Sequence, residues 1–167
     1  MHGSHLGVYM AMSQGDSTQA ASSFPDLQGH TADNVLSYRL VKNLRSAWAD
    51  LLPGILKVKE TNGEPWLPED VYVAVMCGGA AAYEFNEANG AHAGLAIFDL
   101  MQLDYGTELA LNIWIGHSEK TGRSQYGVEL ARLIASSMGI KHIVFSTTQQ
   151  NAWLKKFRLV KAFYEVK

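Results

Sequence analysis

Residues Trp114 to Leu130, "WIGHSEKTGRSQYGVEL", bring together glycines, hydroxyl side chains and the cations Lys120 and Arg123. An apolar run that reads as a strand leads into them, and a helical pattern leaves them. Such a junction leaves backbone N–H groups free at a helix N-terminus, where the helix dipole also favours an anion. Gly122 lets the backbone turn tightly and approach a phosphate closely. The chemistry on offer is phosphate binding by backbone amides. The same residue types also make an ordinary polar connection.

Other reactive side chains point to little chemistry. The six histidines form no metal-ligand pattern: His2 and His5 have a ligand-like gap but no carboxylate or cysteine cluster beside them, so no metal is expected. The single cysteine, Cys77, excludes an intramolecular disulfide framework and reads as a small core residue. Lys155, Lys156, Arg158 and Lys161 crowd one late segment, which reads as a solvated helix face.

The elements around these residues follow from pattern. The chain has 167 residues, enough for one domain with a buried core. Its formal charge of −2 gives no basic excess for nucleic acid. No apolar run is long enough to cross a bilayer, and no leader pattern opens the chain, so a cytoplasmic protein is expected.

Residues 1–30 read as a flexible arm, with "MSQGDSTQAASS" small, polar and aperiodic. Residues 31–167 read as a single domain. "TADNVLSYRLVKNLRSAWADLLPG" predicts a first helix, capped by Thr31 or Asp33 and stopped by Pro53-Gly54. Its apolar face would be Leu40, Val41, Leu44, Trp48 and Leu51. Val71 to Cys77 predicts a strand, with Gly78-Gly79 turning into "AAAYEF". "LAIFDLMQL" and "ELALNIWI" predict two more strands joined by "DYGT". Links this short imply an antiparallel meander.

"YGVELARLIASSM" predicts a helix ended by Gly139, with Tyr126, Leu130, Leu133, Ile134 and Met138 on one face. A strand "IKHIVFSTT", a helix opened by Asn151 and a strand "AFYEV" complete the reading. Strand–helix–strand order implies a parallel pair. The fold class is α/β, a mixed and mostly antiparallel sheet with flanking helices.

From the loop onward the chain resembles the GNAT superfamily of acetyl-CoA-dependent N-acyltransferases. Glu119-x-x-Gly122-x-Ser124 stands where that family has Gln/Arg-x-x-Gly-x-Gly/Ala after a bulged strand. The helix ending in Gly139, the strand, Asn151 opening a short helix and Phe163 follow at the family's spacing. The resemblance covers roughly the last third of the chain and implies a GNAT-like fold that binds acetyl-CoA. It implies that Ile115 and Gly116 contact the pantetheine arm. It implies that Thr121, Gly122, Arg123, Ser124 and Gln125 offer N–H groups to the pyrophosphate, and that Asn151 faces the pantetheine or acetyl end. His117 is the candidate general base, because imidazole titrates near neutrality; Glu84 and Glu108 are alternatives. The acceptor would be a small-molecule or protein amine.

Glu119 and Ser124 depart from the family pattern, and Phe157 lies near where a proton-donating Tyr is common. These departures motivate an alternative: a catalytically degenerate GNAT fold serving as a structural or assembly protein, with its arm docking a partner or a second copy. Internal virion proteins of T7-like phages are similar in the degeneracy of this loop.

Overall fold

The computed structural model describes residues 23–103, 108–120, 123 and 125–145. Among these residues nine elements follow in order: β1 Gln28–His30, β2 Ser37–Leu40, α1 Leu44–Asn62, α2 Pro68–Met76, β3 Ala80–Asn86, β4 His92–Leu103, β5 Glu108–Ser118, α3 Gln125–Met138 and β6 His142–Phe145. The strands form one sheet in the order β1-β2-β3-β4-β5-β6. All neighbours are antiparallel except β5 and β6, which run parallel across α3. The expected meander and the expected parallel pair are both present.

The sheet carries a core on each face. On one side, α3 buries Tyr126, Leu130, Ala131 and Ile134 against Tyr83, Phe98 and Leu111. On the other, Leu51 and Ile55 of α1 and Val71 of α2 pack against Ala82, Leu95, Ile97 and Ile115. Leu95 and Ile97 face one layer while Ala96 and Phe98 face the other. That explains why "LAIF" is an unbroken apolar run: a central strand covered on both faces has no polar side to alternate with.

Two expected elements are corrected. Residues 31–51 are not one helix. Thr31 and Asp33 build the β1–β2 turn: the Thr31 hydroxyl donates to Asp33 Oδ1 at 2.7 Å, and the Val35 N–H donates to the same oxygen at 3.1 Å. Hydroxyl and carboxylate acceptors serve tight turns as well as helix caps. The helix instead starts after Asn43, whose side chain accepts from the Ser46 N–H. It runs through Pro53 to end at Gly63, in the left-handed conformation at φ 65°. Burial of Leu51 and Ile55 outweighs the amide hydrogen bond that Pro53 cannot donate.

Val71 to Met76 is helical, not extended. Pro68 occupies the first turn, and the Asp70 carboxylate accepts from the Leu67 N–H at 2.7 Å. These start signals override the β-branched content. Edge-to-face packing of Trp48 on Tyr72, 5.0 Å between centroids, joins α1 to α2.

α3 ends as expected, with Gly139 at φ 68° and the Ile140 N–H donating to the Ala135 carbonyl at 2.8 Å. The domain also reaches further toward the N-terminus than composition suggests: Phe24 is buried and residues 28–30 form β1. Residues 1–22, the "DYGT" link, and the expected Asn151 helix and final strand lie outside the described residues.

Candidate active site

The register between β4 and β5 slips by one residue. Phe98 faces Ile113 and Ile97 faces Ile115, which leaves Trp114 as the extra residue of a bulge. Side chains alternate along a strand, so one inserted residue reverses every side chain beyond it. Leu111 and Ile113 pack on the α3 side, whereas Ile115 packs on the α1/α2 side with Trp114 beside it. His117 follows Ile115 onto that second face. A Cβ placed on Gly54 of α1 would come within 2.7 Å of His117 Cδ2, so the imidazole lies directly under the helix. His117 is only 8% exposed, and its Nε2 lies 3.2 Å from Glu119 Oε1.

The described pairing of β5 with β6 runs from Ala110 and His142 to Ile113 and Phe145, the last described residue, and β5 itself reaches Ser118. Gly116 lies on this extension and is exposed. Among the described residues, a Cβ there would touch only Ile113 Cγ2, at 3.9 Å.

The start of the loop is pinned down. The Glu119 N–H donates to the Ala93 carbonyl at 3.0 Å, and the Ser118 hydroxyl donates to the Lys120 carbonyl at 3.0 Å. Lys120 Nζ and Arg123 Nη1 both donate to Glu87 Oε1, at 2.9 and 2.8 Å. These contacts, with Lys120 first and Arg123 second, hold the Glu87 carboxyl below the usual glutamate range. One carboxylate of the β3–β4 hairpin thus meets both cations that the sequence offered to a phosphate. A cleft of about 500 Å³ opens here, between Glu87 and His92 on one side and Glu119 and Lys120 on the other. Gln125 opens α3 and is exposed. Thr121, Gly122, Ser124 and Asn151 lie outside the described residues.

The three candidate bases are not brought together. Glu84 faces Leu95, which in turn faces His117. Two strand spacings put it about 10 Å from His117, and Arg39 Nε engages its carboxylate. Glu108 sits at the far end of β5, roughly 30 Å along the strand from His117, and pairs with His142 Nε2 at 3.0 Å.

A polar pair that the sequence reading passed over lies on the same face as His117, on the other side of the bulge. Phe98 and Leu100 pack toward α3, so Asp99 between them points to the α1/α2 side. Its register partner Asn112 donates from Nδ2 to Asp99 Oδ1 at 2.8 Å. Burial pushes the Asp99 carboxyl above the usual aspartate range, against the opposing effect of the Asn112 hydrogen bond. The available signal was one polar residue breaking each apolar run, Asp99 in "LAIFDLMQL" and Asn112 in "ELALNIWI".

Next to this pair, Trp66 packs edge-on against Trp114 at 6.1 Å between centroids. Lys59 fixes the α1–α2 connection that carries Trp66. Its Nζ donates to the Trp66 carbonyl at 2.6 Å and lies 5.7 Å from the ring centroid. Among the described residues, no group of three His, Cys, Asp or Glu side chains could hold a metal ion, and no helix is long and apolar enough to cross a membrane.

No protein-family model and no curated protein sequence matches the chain. Solved structures do. A predicted acetyltransferase from Clostridium acetobutylicum, solved with acetyl-CoA, is 13% identical with a TM-score of 0.59, over 79% of this chain and 96% of its own. A GNAT family acetyltransferase from Staphylococcus aureus is 13% identical with a TM-score of 0.54, over 80% and 98%. An aminoglycoside acetyltransferase from an uncultured soil metagenomic sample, in complex with sisomicin, is 12% identical with a TM-score of 0.55, over 82% and 100%. The chain has the fold of the GNAT superfamily, the fold class its C-terminal spacing implied.

Proposed function

We propose that this GNAT fold is an N-acyltransferase that moves an acyl group from an acyl-coenzyme A thioester to an amine. The observation that carries this reading is the bulge at Trp114 of β5, beside the exposed Gly116, in a fold shared with an acetyltransferase solved with acetyl-CoA. An extended arm laid along Ile115 and Gly116 would meet backbone groups and, among the described residues, open space at Gly116. The N–H groups of Thr121, Gly122, Arg123, Ser124 and Gln125 would face the pyrophosphate, and Asn151 the pantetheine or acyl end. Lys120 and Arg123, which Glu87 holds together in the structure, carry charge that suits the same anion, and Glu119 turns its carboxylate toward His117. The bulge, Gly116 and the loop cations support this reading.

The thioester supplies an activated acyl group. The protein supplies position, a dry surface and a place for the amine's proton. Backbone N–H groups of β5 beyond the bulge would polarise the acyl carbonyl. The sisomicin-bound neighbour supports a small-molecule amine as the acceptor class. A reaction that consumes acyl-CoA fits the cytoplasm.

Calorimetric titration with acetyl-CoA tests this reading. Micromolar binding is expected, with thermal stabilisation at saturation. Gly116→Leu, which fills the space beside β5, should weaken binding more than about tenfold while the protein stays folded. Gly122→Asp should do the same by setting a charge against the pyrophosphate. Absence of both heat and stabilisation would overturn the proposal.

A further inference from the structure

The β3–β4 hairpin carries a carboxylate to a place that suits an outside anion. Its turn is well held: the Glu87 N–H donates to the Ala91 carbonyl at 2.8 Å, and the Gly90 N–H donates to the Glu87 carbonyl at 2.8 Å. The Asn89 side chain accepts from the Ala91 N–H at 3.0 Å, and Gly90 closes the turn at φ 82°, in the left-handed region. The Glu119 N–H, donating to the Ala93 carbonyl, ties the end of β5 to the same hairpin.

Two cations converge on one oxygen of this carboxylate. Lys120 Nζ lies 2.9 Å and Arg123 Nη1 2.8 Å from Glu87 Oε1. Arg123 stands two residues before α3, and its carbonyl accepts from the Tyr126 N–H at 3.1 Å. The ion pair therefore sits near the positive end of the helix dipole. The Glu87 and Arg123 side chains are only 25% and 19% exposed, which limits the screening of their attraction. The cleft beside them is lined by Glu87, His92, Glu119 and Lys120. His92 Nδ1, on its wall, is a buried atom with no hydrogen-bond partner among the described residues. Positive charge and space for an anion are present together, and a side chain of the protein already holds the charge.

Building on the acyltransferase reading above, we propose that Glu87 is a tethered competitor of the coenzyme's phosphates: it holds Lys120 and Arg123 when no phosphate is bound, yields them to an incoming phosphate, and takes them back as the spent coenzyme leaves. A tethered group acts at an effective concentration on the order of millimolar, so a dilute monocarboxylate does not displace it. A pyrophosphate brings several negative charges and more acceptor oxygens, and it can satisfy both cations with charge-assisted bonds of the same kind. Lys120, then Arg123, hold the Glu87 carboxyl below the usual glutamate range, so exchange with an anion, not uptake of a proton, frees the cations near neutrality. Glu87 thereby loosens the grip on phosphate and speeds release of the product coenzyme, and it leaves the pantetheine and acyl end untouched.

The test compares wild type with Glu87→Gln, titrated with acetyl-CoA, with inorganic pyrophosphate and with S-acetylpantetheine, which keeps the thioester but has no phosphate. Acetyl-CoA and pyrophosphate should bind the variant about fivefold or more tighter than wild type. Their affinity for the variant should also fall more steeply as salt rises, and coenzyme A should leave it more slowly by a similar factor. S-acetylpantetheine should bind both proteins alike. Adding Arg123→Gln should remove most of the gain, because the contested cation is gone. In wild type alone, pyrophosphate should move the Arg123 Nε–H and Glu87 carboxyl signals by NMR, a reading that depends on no variant. Pyrophosphate binding by Glu87→Gln that is unchanged or weaker overturns the proposal, as do unmoved wild-type signals. An equal gain for S-acetylpantetheine overturns it too, since the effect would then not concern phosphate. Wild type that binds pyrophosphate but not acetyl-CoA overturns the acyltransferase reading, while a pyrophosphate gain in Glu87→Gln still supports Glu87 as the competitor.

Discussion

The two faces of the sheet are built from the same strands and do different work. Toward α3 the layer is apolar from β3 to β5, with Tyr83, Phe98 and Leu111 fully buried and Tyr83 edge-on to Phe98 at 5.7 Å. Toward α1 and α2, the middle row of Ala82, Ile97 and Ile115 is apolar and sealed throughout, whereas the flanking rows mix buried Leu95 and Ala80 with polar side chains. The row beyond it carries His117, and the row before it carries Asp99 and Asn112. The bulge at Trp114 makes the difference, since it sends Ile115 and His117 to the second face. One face is committed to stability. The other gives up apolar area at both ends and gains polar groups in its place.

The sharpest way to break this contrast is to remove a ring from the sealed face. Phe98→Ala should cost about 3–5 kcal/mol by urea denaturation, because the ring is fully buried and Tyr83 loses its partner. A loss under about 1 kcal/mol would mean that the α3 face is not the rigid one.

A smaller effect probes the second face. Gly54→Ala puts a methyl group 2.7 Å from His117 Cδ2 and 2.9 Å from Leu95 Cδ2. Overpacking of about 1–3 kcal/mol opposes a helix-propensity gain of about 1 kcal/mol. A net loss near 1 kcal/mol is expected, with a shift in the His117 ring signals. A net gain in stability would show that His117 yields and that the face is soft.

The smallest effects are in pH dependence, and they have opposite signs. Burial makes folded Asp99 hold its proton more readily than the unfolded chain does. Wild-type stability should therefore fall as pH rises through the window just above the ordinary aspartate range, and Asp99→Asn should remove that slope. Glu87 is held low by Lys120 and then Arg123, so its contribution is present above the ordinary glutamate value and lost as pH falls below it. Glu87→Gln should remove that second slope. Urea midpoints across a pH series read both, and parallel curves for the variants and wild type would sink this account.

Much of the fold was legible from local pattern. The strands from Ala80 to Ser118 and helix α3 with its Gly139 end are where alternation, periodicity and end signals agree. Reading failed where one residue type serves two structures. Thr31 and Asp33 could cap a helix or close a turn, and tertiary packing chose the turn, with the Tyr126 hydroxyl of α3 donating to Asp33. Pro53 could stop a helix or be carried inside one, and the buried Leu51 and Ile55 carried it. The loop cations were legible as charges, but their partner Glu87 lies on a hairpin far back in the chain. The Asp99–Asn112 pair depends on strand register, and the bulge that turns Ile115 and His117 to the same face leaves no mark in composition.

The order of the strands bears on how the chain finds its structure. Each described strand lies beside the one next to it in the sequence. The β1–β2, β3–β4 and β4–β5 neighbours can therefore assemble as hairpins, each closing a modest loop. The β2–β3 step closes through α1 and α2, and the parallel β5–β6 step must wait for α3 to cross over. The Asp33–Tyr126 contact, 93 residues apart, ties the first hairpin to the last described helix. Most of the entropy of closure is thus met in small instalments, which predicts rapid collapse of the β3–β5 meander and a later, slower docking of α3.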